Sequence, residues 1–302
     1  MSWKSQLRSD SLPWLLESEN PGVHYLALRD LFDLSPDDKN LKTARKLAHK
    51  EGPIAHVLSK MDEYGYWVKA GPGYNPKYRS TVWAMILLAQ LGASASEDKR
   101  IEKACNYVLD HMCAGGQFTT TTSGAPSGTI DCLQGNLCWL LMEMGYDDPR
   151  LDKAYEWMAR TVTGDGIAPL EDNHAPVRYY VYKCGPTFAC GVNNKLPCAW
   201  GGVKVMLALS QLPAQKRTPL VKKAIQQAWI SSLALILLQQ NIQRGPAQNP
   251  AATGGSLASP CFTSRTCYSL LKLLSIWDMA TINAWRIRSI SSAKSKMSMV
   301  NG

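Results

Sequence analysis

Hydrophobic residues in the first three quarters of the chain recur at helical spacing, in segments of two alternating kinds. In the first kind nearly every position is apolar, which is typical of a helix buried on more than one side. These segments are 78–92, 129–145 and 197–212. In the second kind the apolar residues occupy one face, and acidic residues such as Asp98 and Asp148 stand where an amphipathic helix begins. The pattern predicts buried inner helices paired with amphipathic outer helices.

A glycine turn repeats together with the helices. Gly65, Gly116 and Gly166 are separated by 51 and 50 residues, and each stands between a helical segment and a loop. A unit of one inner and one outer helix cannot bury both of its apolar faces alone, so neighbouring units must stack. The expected fold is all-α, an (α/α) toroid of helix-pair repeats around a cavity. The ring is expected to be incomplete, because only about four pairs are recognisable.

The turns and the helices that follow them resemble a known architecture. Gly65-Tyr66-Trp67 and Gly116-Gln117-Phe118, each followed by an apolar helix, are similar to the repeat of terpenoid cyclases and protein prenyltransferase β-subunits. The chain resembles more closely a bacterial family of uncharacterised function with that fold, over about residues 10–227. The stretches that carry this resemblance are 127–136, 183–186 and 193–201. It implies a toroid with a central cavity.

The repeat pattern stops near residue 228. The sequence predicts a repeat domain over 1–227, whose first fifty residues cap one end, and an atypical helical tail over 228–302. The tail has twelve serines and a single acidic residue, Asp278. Its last seven residues can be encoded so that the neighbouring reading frame gives Asp-Glu-His-Gly-Gln-Trp, a repeat turn of the resembling family. We therefore hypothesise that the tail is a frameshifted sequence.

Charge and composition exclude several classes of protein. The net charge is +9, and the tail holds seven Lys or Arg against one acid, so +6 of the excess lies outside the repeat domain. A nucleic-acid-binding face belongs to the folded body, so no nucleic-acid partner is expected. No apolar run is long enough to span a membrane, and no signal-type segment follows Met1. Nine cysteines without such a segment favour free thiols or metal ligands in the cytoplasm.

Four of the cysteines form the strongest candidate site. Cys132 and Cys198 each open a predicted inner helix in a Cys-x-x-Gly motif, which places both at one rim of the cavity. Cys184 and Cys190 lie in the loop that leads to the second of these helices. Four thiolates at one rim would suit tetrahedral zinc. Two alternatives remain at this point: buried thiols that act as small apolar residues, or reactive thiols whose pKa is lowered by helix N-termini.

Polar residues at the same rim are the candidate catalytic groups. They are Asp131, Arg178 and Tyr180. The resemblance to protein prenyltransferases implies Asp, Cys and His as zinc ligands, and Asp131-Cys132 matches two of these while no histidine matches the third. The acidic motifs of terpenoid cyclases are missing, since the adjacent aspartates at 37–38 and 147–148 complete neither motif. Those at 147–148 are predicted helix caps.

Three functions remain open from sequence. The first is a hydrolase of small apolar esters or phosphoesters, of phosphotriesterase or esterase type, in which zinc polarises the substrate. The second is a terpenoid cyclase or prenyltransferase-like enzyme, which rests on fold analogy. The third is a non-catalytic binding or scaffold protein. An incomplete ring leaves an apolar flank uncovered, so a homodimer is expected.

Overall fold

The computed structural model describes residues 9–167, 188–190 and 196–228. In these ranges the regular secondary structure is helical apart from one short hairpin and one isolated β-bridge, which confirms the all-α class. The helices are α1 Leu12–Leu15, α2 Pro21–Asp30, α3 Lys39–Lys50, α4 Pro53–Leu58, α5 Thr81–Gln90, α6 Lys99–Asp110, α7 Asp131–Glu143, α8 Arg150–Thr163 and α9 Ala199–Gln211. Short 3-10 turns cover Pro126–Gly128 and Ala214–Lys216, β1 Ala189–Cys190 pairs with β2 Leu196–Pro197, and a last helical run covers 219–228.

Aspartate side chains cap three helices, two of them at Asp98 and Asp148, where the sequence predicts a capped start. The Asp38 carboxylate accepts hydrogen bonds from two backbone N–H groups in the first turn of α3. Asp98 accepts from the N–H of Arg100 at 2.9 Å, and Asp148 accepts from that of Arg150 at 2.8 Å. Each contact satisfies an N–H that has no partner within the helix, so these aspartates act as caps.

The two kinds of helix bury different amounts of surface. In α6 the buried residues fall at helical spacing on one face: Ile101, Ala104, Cys105, Val108 and Leu109. In α7 the buried residues occur on several sides: Asp131, Leu133, Gln134, Gly135, Leu137, Cys138, Leu140 and Leu141. The two helices therefore differ in burial as their sequence patterns predict, one face in α6 and several sides in α7. Their arrangement as outer and inner helices of a ring stays a prediction.

Helices α7 and α9 run parallel and approach each other closely. A β-carbon built on Gly201 would lie 3.3 Å from Cβ of Asp131, and one built on Gly135 would lie 2.6 Å from the backbone carbonyl carbon of Lys204. Residue numbers rise together along the two helices, so their N-termini lie at the same end. The absence of a side chain at Gly135 lets the two backbones meet.

The predicted glycine turns adopt conformations that other residues rarely reach. Gly65 and Gly116 have φ of +97° and +92°, and both lie against a backbone carbonyl of the next outer helix, at Lys103 and Lys153 respectively. A side chain at either position would collide with that backbone. The two turns thus dock onto the following helix in the same way.

Two further predictions concern membrane-spanning helices and the C-terminal tail. Among the helices that the structure describes, none has the length and hydropathy needed to cross a membrane. The predicted tail, 228–302, lies outside the described residues except for Ala228, which is buried at the end of the last helical run. The domain boundary and the frameshift stay predictions.

Candidate thiol site

The candidate site lies at the N-terminal ends of α7 and α9. Asp131 and Cys132 are the first two residues of α7, and Cys198 is the residue immediately before α9. Because the helices are parallel and in contact near Gly201, these N-terminal ends are neighbours. The structure therefore places Cys132 and Cys198 at the same end of two neighbouring helices. The cavity rim that the sequence predicts there stays a prediction.

A short antiparallel hairpin brings a third thiol to this end. Cys190 pairs with Leu196, and the N–H of Cys198 donates to the carbonyl oxygen of Phe188 at 2.8 Å. In this register residues 188 and 198 are opposite each other, so Cys190 and Cys198 share one face of the hairpin. The fully buried ring of Phe188 fixes the hairpin against α9, since a β-carbon at Gly202 would lie 3.3 Å from it.

The three thiols interact electrostatically, and on balance the pKa values of Cys132 and Cys198 are raised. The hydrogen bond between the Cys198 and Cys190 thiols, together with burial, raises the pKa of Cys198. Burial raises the pKa of Cys132, and the nearby Asp131 and Cys190 add to this effect while the charge of Lys204 opposes it. The alternative of reactive thiols with lowered pKa values is therefore not supported for Cys132 and Cys198, because burial and the neighbouring Cys190 thiol raise the pKa of both.

The predicted zinc ligands are partly described. Cys132, Cys190 and Cys198 are brought together, whereas Cys184 lies outside the described residues. Within the described ranges, no three side chains of His, Cys, Asp or Glu are arranged as ligands of one metal ion. The donor chemistry fits a soft cation such as zinc, since clustered cysteine thiols are the ligands it prefers. Zinc binding stays a prediction.

Only one of the three predicted catalytic residues lies in the described ranges. Asp131 is 4% exposed and sits against Gly201 at the start of α7. Arg178 and Tyr180 lie outside the described residues. Their proximity to the thiols is therefore an expectation from sequence.

Other cysteines behave as packing residues. Cys105 and Cys138 are completely buried, and burial raises the pKa of Cys105 to about 12 and that of Cys138 further still. Cys113 is partly exposed, and its thiol donates to the carbonyl oxygen of Gly124 at 3.4 Å. These three are separate from the thiol site.

Two neighbours of the site were missed by the sequence reasoning. Tyr74 lies close enough to Cys132 for their charges to interact, and burial raises its pKa to about 12. Lys204 lies with its Nζ 4.8 Å from the centre of the Trp200 ring, one helical turn away on α9. The four-residue spacing of Trp200 and Lys204 in a predicted helix indicates that the two side chains are neighbours, so this contact could have been predicted from the sequence. Tyr74 comes from a loop, and no periodicity points to it.

Comparison of the chain with protein families, curated proteins and solved structures finds no match. The resemblance to the terpenoid cyclase and prenyltransferase architecture stays a prediction, and the functional argument rests on the geometry of the residues themselves.

Proposed function

We propose that the chain is a hydrolase of small apolar esters or phosphoesters, with its active site at the N-terminal ends of α7 and α9. One observation carries the proposal: three interacting thiols and a buried carboxylate meet where two parallel helices begin. Helix N-termini favour developing negative charge, which is what the attack on an ester or phosphoester produces. The same end of the helices thus offers metal ligands and stabilisation of an oxyanion.

The cavity in the proposal is that of an incomplete α/α toroid. Two features of the structure support this architecture. Parallel contact between α7 and α9 is what adjacent inner helices of a ring make. The equivalent docking of Gly65 and Gly116 onto successive outer helices is what a repeat of about fifty residues would produce.

Zinc is the proposed metal, with Cys132, Cys190 and Cys198 as its ligands and Cys184 as the candidate fourth. The three described thiols would have to move into a shared ligand geometry when the ion binds, because their described positions do not form one. Because the raised pKa values keep the thiols neutral, binding of a divalent ion must displace their protons. An ion with three protein ligands keeps an open position and would polarise the substrate oxygen, whereas four cysteines would make the site structural.

The chain's own residues then have distinct roles in the proposal. Asp131, buried beside Cys132, would accept a proton from the attacking water. Arg178 and Tyr180 would bind the substrate's anionic or carbonyl oxygen. Lys204, whose charge acts on Cys132, would hold the thiolate form of that ligand. The apolar rings of Tyr74 and Trp200 would exclude water from an apolar substrate.

Metal analysis with matched variants tests the proposal. The intact chain is expected to contain one equivalent of zinc and to hydrolyse an aryl ester or phosphotriester, with activity lost on chelation and restored by Zn²⁺. Cys132→Ser and Cys198→Ser should each lose zinc. Cys113→Ser is the control, because this thiol lies outside the site and its hydrogen bond can be kept by a hydroxyl. Wild-type protein that neither contains zinc nor hydrolyses these substrates would refute the proposal.

A second candidate, prenyl transfer or terpene cyclisation, is favoured by one observation. Asp131 and Cys132 stand together at the start of α7, as two of the three zinc ligands of protein prenyltransferases do in the resembling architecture. Turnover of an isoprenoid diphosphate without ester hydrolysis would support this candidate. One equivalent of zinc with no turnover of either substrate would identify a non-catalytic binding protein.

A further inference from the structure

Exposed positive charge is concentrated around the start of α5. Segment 65–96 contains three cationic residues and no acidic residue. The cations are Lys69, Lys77 and Arg79, and all three are exposed. Within the part of the chain that the structure describes, none of them forms a salt bridge. Positive charge without acidic partners favours an anionic ligand at this surface.

Three aromatic rings form a cluster among these cations, and we call this cluster the aromatic wall. It consists of Tyr74, Tyr78 and Trp83. The centre of the Trp83 ring lies 5.5 Å from that of Tyr74 and 4.7 Å from that of Tyr78. The indole N–H of Trp83 donates to the carbonyl oxygen of Tyr74 at 2.8 Å, which fixes the indole. Lys77 brings its Nζ to 5.7 Å from the centre of the Tyr74 ring, so one of the cations lies at the aromatic wall.

Tyr78 presents its ring to solvent from a strained backbone. The residue is 78% exposed although its ring contacts Trp83, so most of its surface is free to meet another molecule. Its φ is +66°, a region that bulky residues rarely enter. The buried Ser80 hydroxyl holds this turn, since it lies 2.7 Å from the carbonyl oxygen of Gly73 and 2.9 Å from that of Pro76. Strain of this kind is concentrated at ligand-binding positions in proteins.

The aromatic wall lies at the same end of the helices as the thiol site. Helices α5 and α7 pack together, and their C-terminal ends meet where the N–H of Ala95 donates to the carbonyl oxygen of Met144 at 2.9 Å. Their N-terminal ends are therefore neighbours as well. Contacts at that end agree, because the Asn75 amide donates to a backbone carbonyl of the loop before α7 at 3.4 Å. Tyr74 also lies close enough to Cys132 for their charges to interact.

The chemistry of this surface favours a ligand that is both aromatic and anionic. A planar ring gains more than an alkyl chain does from stacking on an exposed tyrosine, because the ring quadrupoles interact in addition to the area buried. Lys77 and the N-terminal ends of α5 and α7 favour negative charge. Among the substrates proposed for the thiol site, a phosphoester can carry an aromatic leaving group and a negative charge on the same phosphorus, which a neutral ester cannot.

We propose that the aromatic wall binds the aromatic group of an anionic aryl phosphoester, which is the substrate class of the thiol site. The aromatic group stacks on Tyr78, and Lys77 interacts with the negative charge of the phosphate. In hydrolysis, water adds to phosphorus, the bond between phosphorus and the aryl oxygen breaks, and one proton of the water leaves with the phenol. The hydrolysis rests on the proposed function, whereas binding by the aromatic wall does not.

Calorimetric titration of the full chain with phenylphosphonate, which cannot be hydrolysed, tests the binding. Inorganic phosphate carries the charge alone, and butylphosphonate carries the charge with an alkyl chain in place of the ring. Phenylphosphonate is expected to bind in one saturable equivalent and about fivefold more tightly than either comparison ligand. No saturable binding of phenylphosphonate, or equally tight binding of butylphosphonate, would overturn the proposal.

Two variants with matched controls place the ligand at the aromatic wall. Tyr78→Leu should weaken phenylphosphonate binding about fivefold, and Lys77→Gln should weaken it about threefold at low salt. Tyr64→Leu and Lys46→Gln are the controls, because Tyr64 is 68% exposed outside the aromatic wall and Lys46 is exposed on α3. Both controls should bind like wild type. Unchanged affinity in both wall variants would overturn the proposal.

Hydrolysis of phenyl phosphate by the same variants separates this inference from the proposed function. If the thiol site acts on this substrate, Tyr78→Leu should raise KM about fivefold and leave kcat nearly unchanged. Phenylphosphonate binding that depends on Tyr78, without any hydrolysis, would refute the proposed function and the substrate role but leave the binding site. Exposed aromatic residues beside cations also bind single-stranded nucleic acids. A single-stranded oligonucleotide that binds through Tyr78 much more tightly than phenylphosphonate would overturn the assignment to a small substrate.

Discussion

Substitution of Gly135 by alanine tests the close contact on which the thiol site depends. The added β-carbon would lie 2.6 Å from the carbonyl carbon of Lys204 and from the N atom of Val205, and 2.8 Å from the oxygen of Lys204. Carbon atoms in van der Waals contact are about 3.5–4.0 Å apart. Because all three colliding atoms belong to the backbone of α9, no side-chain rotation can relieve the overlap. The helices must separate locally by about 1 Å.

The expected change in the free energy of unfolding combines two opposing contributions. Overpacking a well-packed contact costs about 1–3 kcal/mol, and a backbone collision belongs at the upper end of that range. Alanine gains about 1 kcal/mol over glycine in a helix interior. We therefore expect Gly135→Ala to lower the free energy of unfolding by about 2 kcal/mol, which is about 4–8 °C in Tm for a domain of this size. The proposed zinc affinity should fall as well, since Cys132 and Cys198 move apart.

Urea unfolding followed by circular dichroism measures this effect, and Gly201→Ala is the matched control. Gly201 lies on the same interface, but a β-carbon there would be 3.3 Å from the Asp131 side chain, which a shift of a few tenths of an ångström relieves. Its stability should stay close to that of wild type. A Gly135→Ala variant as stable as wild type would refute the close parallel packing of α7 and α9.

Three further predictions concern the thiols, the catalytic residues and the assembly. Since the pKa values of Cys132 and Cys198 are raised on folding, their contribution to stability is complete below the unfolded thiol pKa of about 8.5 and is lost as pH rises above it. Urea midpoints of metal-free protein should therefore fall between about pH 8.5 and 10, less steeply in Cys132→Ser; a flat profile would contradict the shifts. Asp131→Asn, Arg178→Ala and Tyr180→Ala should each reduce the kcat of ester hydrolysis, and three silent variants with activity retained would place the active site elsewhere. Light scattering should give a homodimer; a species near the 33.3 kDa of one chain would show that it covers its own apolar flank.

Sequence periodicity located the inner helices but set their starts too early. The predicted segment 78–92 corresponds to α5, Thr81–Gln90. The difference arises before the helix, where the Ser80 hydroxyl donates to the carbonyl oxygen of Gly73 at 2.7 Å and holds the chain in a non-helical turn. Apolar periodicity reports which residues of a helix are buried, and it carries no information about such local hydrogen bonds. It therefore predicts the positions of helices better than their first and last residues.

The thiol site could be predicted only in part for a related reason. The Cys-x-x-Gly motifs placed Cys132 and Cys198 at helix starts, and parallel stacking made them neighbours. Their protonation depends on how deeply packing buries each thiol and on the hairpin register that joins Cys190 to Cys198. Neither quantity is local in sequence.

Helix dipoles and burial have opposite effects on the pKa values of the thiols at the N-terminal ends of α7 and α9. A helix N-terminus contributes about 0.3–1 kcal/mol to a nearby anion, up to about 2 kcal/mol where it is partly buried. Burial can shift a pKa by about 3–5 units, each worth about 1.4 kcal/mol, so the dipoles alone cannot hold Cys132 as a thiolate. A divalent cation would supply the missing charge, so a metal centre accounts for ionised thiols at this end better than a free thiolate nucleophile does.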